Sequence, residues 1–350
     1  MDWRRLAILA FVATLTLLAA CAPLSQHAGR PDLSFQGPRL EDARFISFDG
    51  TALGLQHWDA SGEPWAVIVG LHGMNDYSSA FHLAGPYWAG QGITTYAYDQ
   101  RGFGRSPERG VWGRRELMDE DLRTIVALVR QRHPHAIVAV AGVSMGGAVA
   151  IDAFASDRPP AADRLVLLSP AVWGWSAQPF LNRAALWLTA HTFRGAVVTP
   201  PDFLLRKIHA TDNIEELRRM SRDPLQIWGA RPDALYGLMQ MMQRGWEETD
   251  RLKAPTLYLY GAHDQIIPAA PAIHAVGRLG PAARTACYPA GYHLLLVDLQ
   301  ARRVWDDVAA FVRDPAARLP SAARPIPRVE PRPPAGAKEE GNPALCGPPL

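Results

Sequence analysis

Five short, largely apolar runs, at residues 66–71, 93–98, 136–141, 165–168 and 256–260, constrain the fold of this chain more than any other feature. A half-exposed strand alternates apolar and polar residues. Runs without that alternation read as strands buried on both faces, as in a parallel sheet covered by helices. Helical patterns at 116–132 and 146–155 separate several of the runs, and parallel neighbours need such crossovers. Upstream, the alternating segments 44–48 and 53–58 flank Asp49-Gly50, a hairpin signal. An antiparallel start followed by strand–helix alternation predicts an α/β fold, a doubly wound and mostly parallel sheet with helices on both faces. The rhythm breaks at about 172–250, a gap between strands far longer than one crossover needs. Two helical stripes occupy it: Leu181, Ala184, Ala185, Leu188, and then Leu235, Leu238, Met239, Met242, Trp246. The segment is expected to be an inserted helical cap, dividing the core into 43–171 and 251–314.

The ends of the chain follow other rules. Arg4 and Arg5 precede an apolar run at 6–20. That run is short for a membrane span, which needs roughly twenty residues, and suits the apolar region of a signal peptide over 1–20. It closes on Leu18-Ala19-Ala20-Cys21, which resembles the lipobox of bacterial lipoproteins, where the cysteine becomes the lipidated N-terminus. The competing readings are an ordinary cleaved signal with a chance cysteine, or an uncleaved anchor. Lipidation of Cys21 implies export and a membrane anchor, since each buried CH₂ is worth about 0.8 kcal/mol. Ala22, standing where an Asp is absent, favours the outer membrane in a host that has two. Residues 21–42, broken by Pro31, Gly37 and Pro38, are expected to be a tether. Residues 315–350, rich in Pro, Ala and Arg without apolar periodicity, are expected to be a disordered tail. Cys287 reads as a small core residue and Cys346 lies in the tail; a bond between them is open in an oxidising compartment, with nothing in the sequence to argue for it. A net charge of +2, evenly spread, excludes a nucleic-acid partner as an expectation.

The strongest local signal is Gly142-Val143-Ser144-Met145-Gly146-Gly147, directly between the run at 136–141 and the helical pattern at 146–155. A G-x-S-x-G turn in strand–turn–helix context is a nucleophile elbow. The serine sits on a sharp, strained turn, small neighbours permit the helix and strand to pass closely, and the helix N-terminus offers positive potential and free N–H groups. A serine hydroxyl needs a base, and the base an orienting acid. In this topology they follow in the order Ser, Asp or Glu, His, each at a strand exit. Asp264 in Gly261-Ala262-His263-Asp264 and His293 in Gly291-Tyr292-His293 occupy those exits. The candidate triad is therefore Ser144, Asp264 and His293. The oxyanion hole needs two main-chain N–H groups. Met145 follows the nucleophile, and Met74 lies in the loop Leu71-His72-Gly73-Met74-Asn75 after the first run. His72 precedes the serine and is expected to fix that loop through hydrogen bonds. In the turn from Asp99 to Ser106, Asp99 and Arg101 are expected to satisfy buried backbone groups, with substrate contact by Arg101 as the alternative.

Together, His72-Gly73-Met74, the turn from Asp99 to Ser106, Ser144-Met145-Gly146-Gly147, Leu168-Ser169-Pro170, Gly261-Ala262-His263-Asp264 and Gly291-Tyr292-His293 resemble the monoacylglycerol lipase and lysophospholipase branch of the α/β-hydrolases. The resemblance covers about residues 44–313, with 172–250 matching only in character. It implies a Ser144–His293–Asp264 triad, no metal or organic cofactor, and a lipid-like ester substrate. Two features depart from the branch: Val143 stands where a histidine is usual, and the N-terminal anchor is not a general family property. The residues themselves point less firmly to lipid. Trp173, Trp175, Met239 and Met242 would give a cap an apolar underside for an acyl chain, or would simply pack the cap onto the core. The alternatives with the same triad are a short-chain esterase or thioesterase and a cofactor-free perhydrolase. A non-catalytic binding lipoprotein would lack a triad member, and none is missing. Oligomeric state is not legible.

Overall fold

The computed structural model describes residues 22–199, 208–328 and 345–346; the signal segment 1–20 and Cys21 lie outside them. One nine-stranded sheet runs in the order β1-β2-β3-β5-β4-β6-β7-β8-β9. Its antiparallel edge is β1 (Arg39–Leu40), β2 (Arg44–Ile46) and β3 (Ala52–Trp58). The parallel part comprises β4 (Ala66–Leu71), β5 (Ile93–Tyr98), β6 (Ile137–Val143), β7 (Arg164–Leu168), β8 (Thr256–Gly261) and β9 (Ala283–Tyr288).

The absence of polarity alternation has a direct structural cause. Alternate residues of each inner strand enter two separate cores. Val67, Val69, Val138, Val140 and Leu165 pack on one face with helices α2 (Arg115–Arg132), α3 (Met145–Ala155) and α7 (Ala269–Arg278). Ala66, Ile68, Ala139, Ala141 and Val166 pack on the other with α1 (Ala84–Ala89) and α8 (Ala301–Arg313). This is the doubly wound, mostly parallel architecture expected from the alternating elements. All residues of α3 are buried, because it lies between the sheet and the inserted helices.

That insertion carries α4 (Phe180–Thr192), α5 (Ile214–Arg222) and α6 (Pro232–Glu247). Its two apolar stripes have different fates. Met242 on α6 is buried in the core, with Leu238 and Met239 packed against it. On α4, Leu181 is 77% exposed and Leu188 is 55% exposed.

Two expectations about the ends need correction. The proposed tether is partly docked: Gln26 is buried, its N–H donates to the Trp112 carbonyl (2.9 Å) and its Nε2 to the Val111 carbonyl (3.1 Å). A polar segment broken by Pro and Gly reads as a tether, but a neighbouring turn holds carbonyls that need donors. The tail over 315–328 is likewise packed. Leu319 and Ile326 are buried, the Cys287 N–H donates to the Arg324 carbonyl (2.8 Å), and Asp307 accepts from the Ser321 N–H (2.9 Å). Beyond it, Cys346 forms a disulfide with Cys287 on the outermost strand β9. An apolar residue every few positions and a covalent tie suffice where periodicity fails. Closing this long loop covalently restricts the unfolded chain, so Cys346→Ala is expected to cost about 2–4 kcal/mol in urea unfolding without reductant. Reductant should bring the native protein to the same value and leave the variant unmoved.

Candidate active site

The strand β6 ends and the helix α3 begins without a connecting loop, so Ser144 must turn the chain by itself. It does so at φ 74°, ψ −107°, a backbone conformation costing about 1–3 kcal/mol for a residue with a Cβ. The close passage of helix and sheet depends on Gly146, where a Cβ would stand 2.4 Å from the Leu71 carbonyl oxygen. The turn leaves Ser144 at the head of the sheet, the residue only 8% exposed.

Two other strand exits bring its partners. Asp264 follows β8, and its Oδ1 accepts the N–H groups of Ile266 (2.8 Å) and Ile267 (2.9 Å). This tight turn leaves Oδ2 to accept from His293 Nδ1 (2.8 Å). On the far side of the ring, His293 Nε2 lies 2.9 Å from Ser144 Oγ. With Nδ1 donating to the carboxylate, Nε2 carries the lone pair that faces the hydroxyl. All three side chains are buried. The arrangement can remove the serine proton and stabilise the resulting imidazolium, which is the requirement for nucleophilic attack by a hydroxyl.

Charge that develops on an attacked carbonyl oxygen needs donors. Met145 is the first residue of α3, so its N–H has no acceptor within the helix. Met74 follows Gly73, whose backbone lies against the nucleophile: a Cβ on Gly73 would be 3.3 Å from Ser144 Cβ. His72 fixes this loop, as expected. Its Nδ1 donates to the Gly73 carbonyl (2.7 Å) and its Nε2 accepts the Gln100 N–H (2.8 Å). Complete burial pushes its pKa down, in keeping with a neutral ring that donates on one side and accepts on the other. Among the described residues, no cluster of His, Cys, Asp and Glu is arranged to hold a metal ion.

The Hydrolase_4 family, described as "Serine aminopeptidase, S33", matches residues 62–300. The chain belongs to this family. By that kinship it is a hydrolase, in the company of carboxylic ester hydrolases. It is 27% identical to a monoacylglycerol lipase of Mycolicibacterium smegmatis over 287 residues, 77% of this chain and 95% of that one. It is 28% identical to the monoglyceride lipase of Rattus norvegicus over 235 residues, 65% of this chain and 75% of that one. Among solved structures it resembles the monoacylglycerol lipase of Paleococcus ferrophilus, with TM-score 0.60 and 21% identity over 74% of this chain and 98% of that chain. It also resembles a carboxyl esterase of Bacillus coagulans, with TM-score 0.64 and 19% identity over 80% of this chain and 99% of that one.

Other residues singled out in the sequence of this hydrolase fall elsewhere. A cavity of about 450 Å³ opens against Met74, with walls from Phe103, Trp112, Ile227 and Trp228. None of Trp173, Trp175, Met239 and Met242 lines it. Met242 is in the core with Trp173 and Met239 packed on it, while Trp175 lines a separate cavity and meets the Tyr236 ring at 5.3 Å. The stripe of α6 serves packing. Asp99 does accept backbone donors, the N–H groups of Ser78 (2.9 Å) and Arg105 (2.8 Å). Arg101 does not: it is fully buried and pairs with Asp121 (2.7 Å) and Asp49 (2.9 Å), so it locks the hairpin to α2 and has no route to a substrate.

The sequence reading of this hydrolase missed Asp298. The residue is buried, and its Oδ2 accepts the N–H of Tyr292 (2.8 Å), immediately before the base. The available signal was a lone acid closing the apolar run Leu294-Leu295-Leu296-Val297. Burial pushes this carboxyl up to about 7, against the pull of Thr211 and the Tyr292 N–H. The folded protein therefore keeps a proton that the unfolded chain releases near the ordinary carboxyl value of 3.8. Stability from this group is full at low pH and is lost as pH rises towards 7. Asp298→Asn keeps the acceptor for Tyr292 and removes the titration. The thermal midpoint of the variant minus that of the wild type is expected to rise between about pH 4 and 7 and then level off. A difference independent of pH would refute the assignment.

Proposed function

We propose that the chain hydrolyses carboxylic esters through an acyl-enzyme on Ser144, with monoacylglycerols, lysophospholipids or similar lipid esters as substrates. The observation that carries the proposal is the unbroken relay from Asp264 through His293 to Ser144 Oγ, with links of 2.8 and 2.9 Å. His293 Nε2 takes the serine proton as Oγ bonds to the ester carbonyl carbon. The N–H groups of Met74 and Met145 hold the oxyanion, and each such donor is worth roughly 10²–10³ in kcat. The ester C–O bond breaks as His293 returns that proton to the leaving alcohol. Water then attacks the acyl-enzyme with His293 again as base, releasing the acid and restoring the serine. Asp264 holds the imidazole in the productive tautomer throughout.

The lipid preference is supported by the names of the relatives and by the apolar part of the cavity beside Met74, whose walls also include Arg109 and Arg231. A fluorophosphonate probe should label Ser144 in the native chain and neither Ser144→Ala nor His293→Ala. Turnover of 4-nitrophenyl esters should fall by at least about 10³-fold in either variant. Among acyl glycerols, 4-nitrophenyl esters of increasing length and acyl-CoA, kcat/KM should be highest for long-chain monoesters. Preference for acetate would replace the lipid reading with a short-chain esterase, and turnover only with peroxide and an acid would replace it with a perhydrolase.

Export and lipidation of Cys21 belong to the same proposal. A disulfide between Cys287 and Cys346 suits an oxidising compartment. The apolar face of α4, with exposed Phe180, Leu181, Trp187 and Leu188, suits a lipid surface. No acidic residue stands between Gln178 and Thr199, whereas Arg183 and Arg194 do, which favours anionic headgroups. Arg194 also donates to the carbonyl of Ala22 (3.3 Å), next to the proposed anchor. In a bacterial host the chain should sediment with membranes and yield an N-terminal peptide carrying the mass of acyl chains on Cys21. Cys21→Ser should abolish that mass; an unmodified cysteine in the native protein would end the lipoprotein reading.

A further inference from the structure

Helix α5 is short and polar, yet both of its flanks are hydrogen-bonded to loops of the site. On its N-terminal side, the Leu294 N–H donates to the Ala210 carbonyl (2.9 Å), the Leu299 N–H to Asp212 Oδ1 (2.8 Å), and Asn213 Nδ2 to the Val297 carbonyl (2.9 Å). The His209 N–H donates to Gln265 Oε1 (2.9 Å), beside the acid of the triad. These bonds join the inserted segment to the loops that carry His293 and Asp264.

On the C-terminal side the partners are those of the oxyanion loop. Gln226 Nε2 donates to Asp76 Oδ1 (2.6 Å), the Ile227 N–H to the Asn75 carbonyl (3.0 Å), and the Tyr77 hydroxyl to Asp223 Oδ2 (2.7 Å). Between the two seams, Glu216 is buried and meets His82 Nε2 at 3.1 Å. The contrast with α4, whose outer face is bare, is sharp.

We propose that residues 209–227 form a fixed strut that holds the base loop and the oxyanion loop in register across Ser144, with Asn213 and Gln226 as its positioning residues. The proposal rests on the esterase reading and deepens it: the donors and the base must keep one spacing while the acyl group comes and goes, and errors near 1 Å can cost about 10²-fold. In this arrangement one part of the insertion is scaffold for the chemistry, and any gating falls to the remainder.

Two full-length variants separate positioning from folding. Asn213 also caps α5, its side chain accepting the Glu216 N–H (3.3 Å). Asn213→Asp keeps an equally good cap and replaces the donor to Val297 with an acceptor. Gln226→Met keeps the length and removes the donor to Asp76. With 4-nitrophenyl butyrate, each is expected to lower kcat about tenfold with KM within about twofold, at temperatures well below the thermal midpoints of both. Because either change releases the same element, the double variant should be no slower than the slower single, whereas independent local contacts would multiply. Amide hydrogen exchange gives a readout separate from activity. Gln226→Met should speed exchange at 293–299 as well as at 74–77, and Asn213→Asp should do the reverse crossing. Faster exchange confined to the loop next to each substitution, unchanged kcat in the singles, or multiplied losses in the double would overturn the strut. A native chain that neither labels nor turns over would overturn the esterase reading alone, since the exchange result stands without catalysis.

Discussion

The site depends first on how closely the start of helix α3 passes the end of strand β4. Gly146 leaves no room for even a methyl group between them. That contact accompanies the strained conformation of the turn at Ser144, which sets the hydroxyl beside His293 at the start of α3. The cost of about 1–3 kcal/mol in backbone strain is borne by the core in which α3 packs against the sheet. Had the helix stood an ångström further off, the serine could relax, and the hydroxyl would lose its relation to both His293 and the oxyanion donors.

A second constraint acts through buried polarity. Groups taken out of water must find partners, and around this site those partners tie successive strand exits to one another. His72 spends both ring nitrogens on Gly73 and Gln100, Asp264 spends one oxygen on its own turn and the other on His293, and Asp99 gathers donors from Ser78 and Arg105. Each bond is ordinary. Collectively they leave the loops few ways to move independently, which is what preorganisation of a catalytic centre requires. The Arg101 ion pairs with Asp49 and Asp121 extend the same logic away from the site, to the antiparallel edge of the sheet.

The inserted helices combine two physical characters. Helix α6 buries its stripe on α3, and the flanks of α5 are stitched to catalytic loops, whereas α4 presents Phe180, Leu181 and Leu188 to solvent. An apolar stripe alone does not say which fate awaits it. Periodicity reports that a helix has an apolar face, and what covers that face is a property of the neighbours. The same limit leaves Trp173, Trp175, Met239 and Met242 open between a substrate surface and simple packing in the sequence, while the cavity beside Met74 is walled in part by Phe103, Trp112, Ile227 and Trp228.

What this sequence determined alone is whatever local sterics and burial dictate: the strands buried on both faces, the hairpin at Asp49-Gly50, the elbow at Ser144, and the order in which acid and base follow it. These were legible because each is imposed within a few residues, by a turn that only small neighbours permit or by a run that only a covered strand tolerates. The tertiary structure decided what depends on residues distant in the chain. The bond from the Tyr292 N–H to Asp298, the seams of α5, the packing of residues 315–328 and the pairing of Cys287 with Cys346 are of this kind. Polar side chains carry no periodic signature of their partners, so a hydrogen bond across 80 or 150 residues leaves no local trace until folding brings its donor and acceptor together.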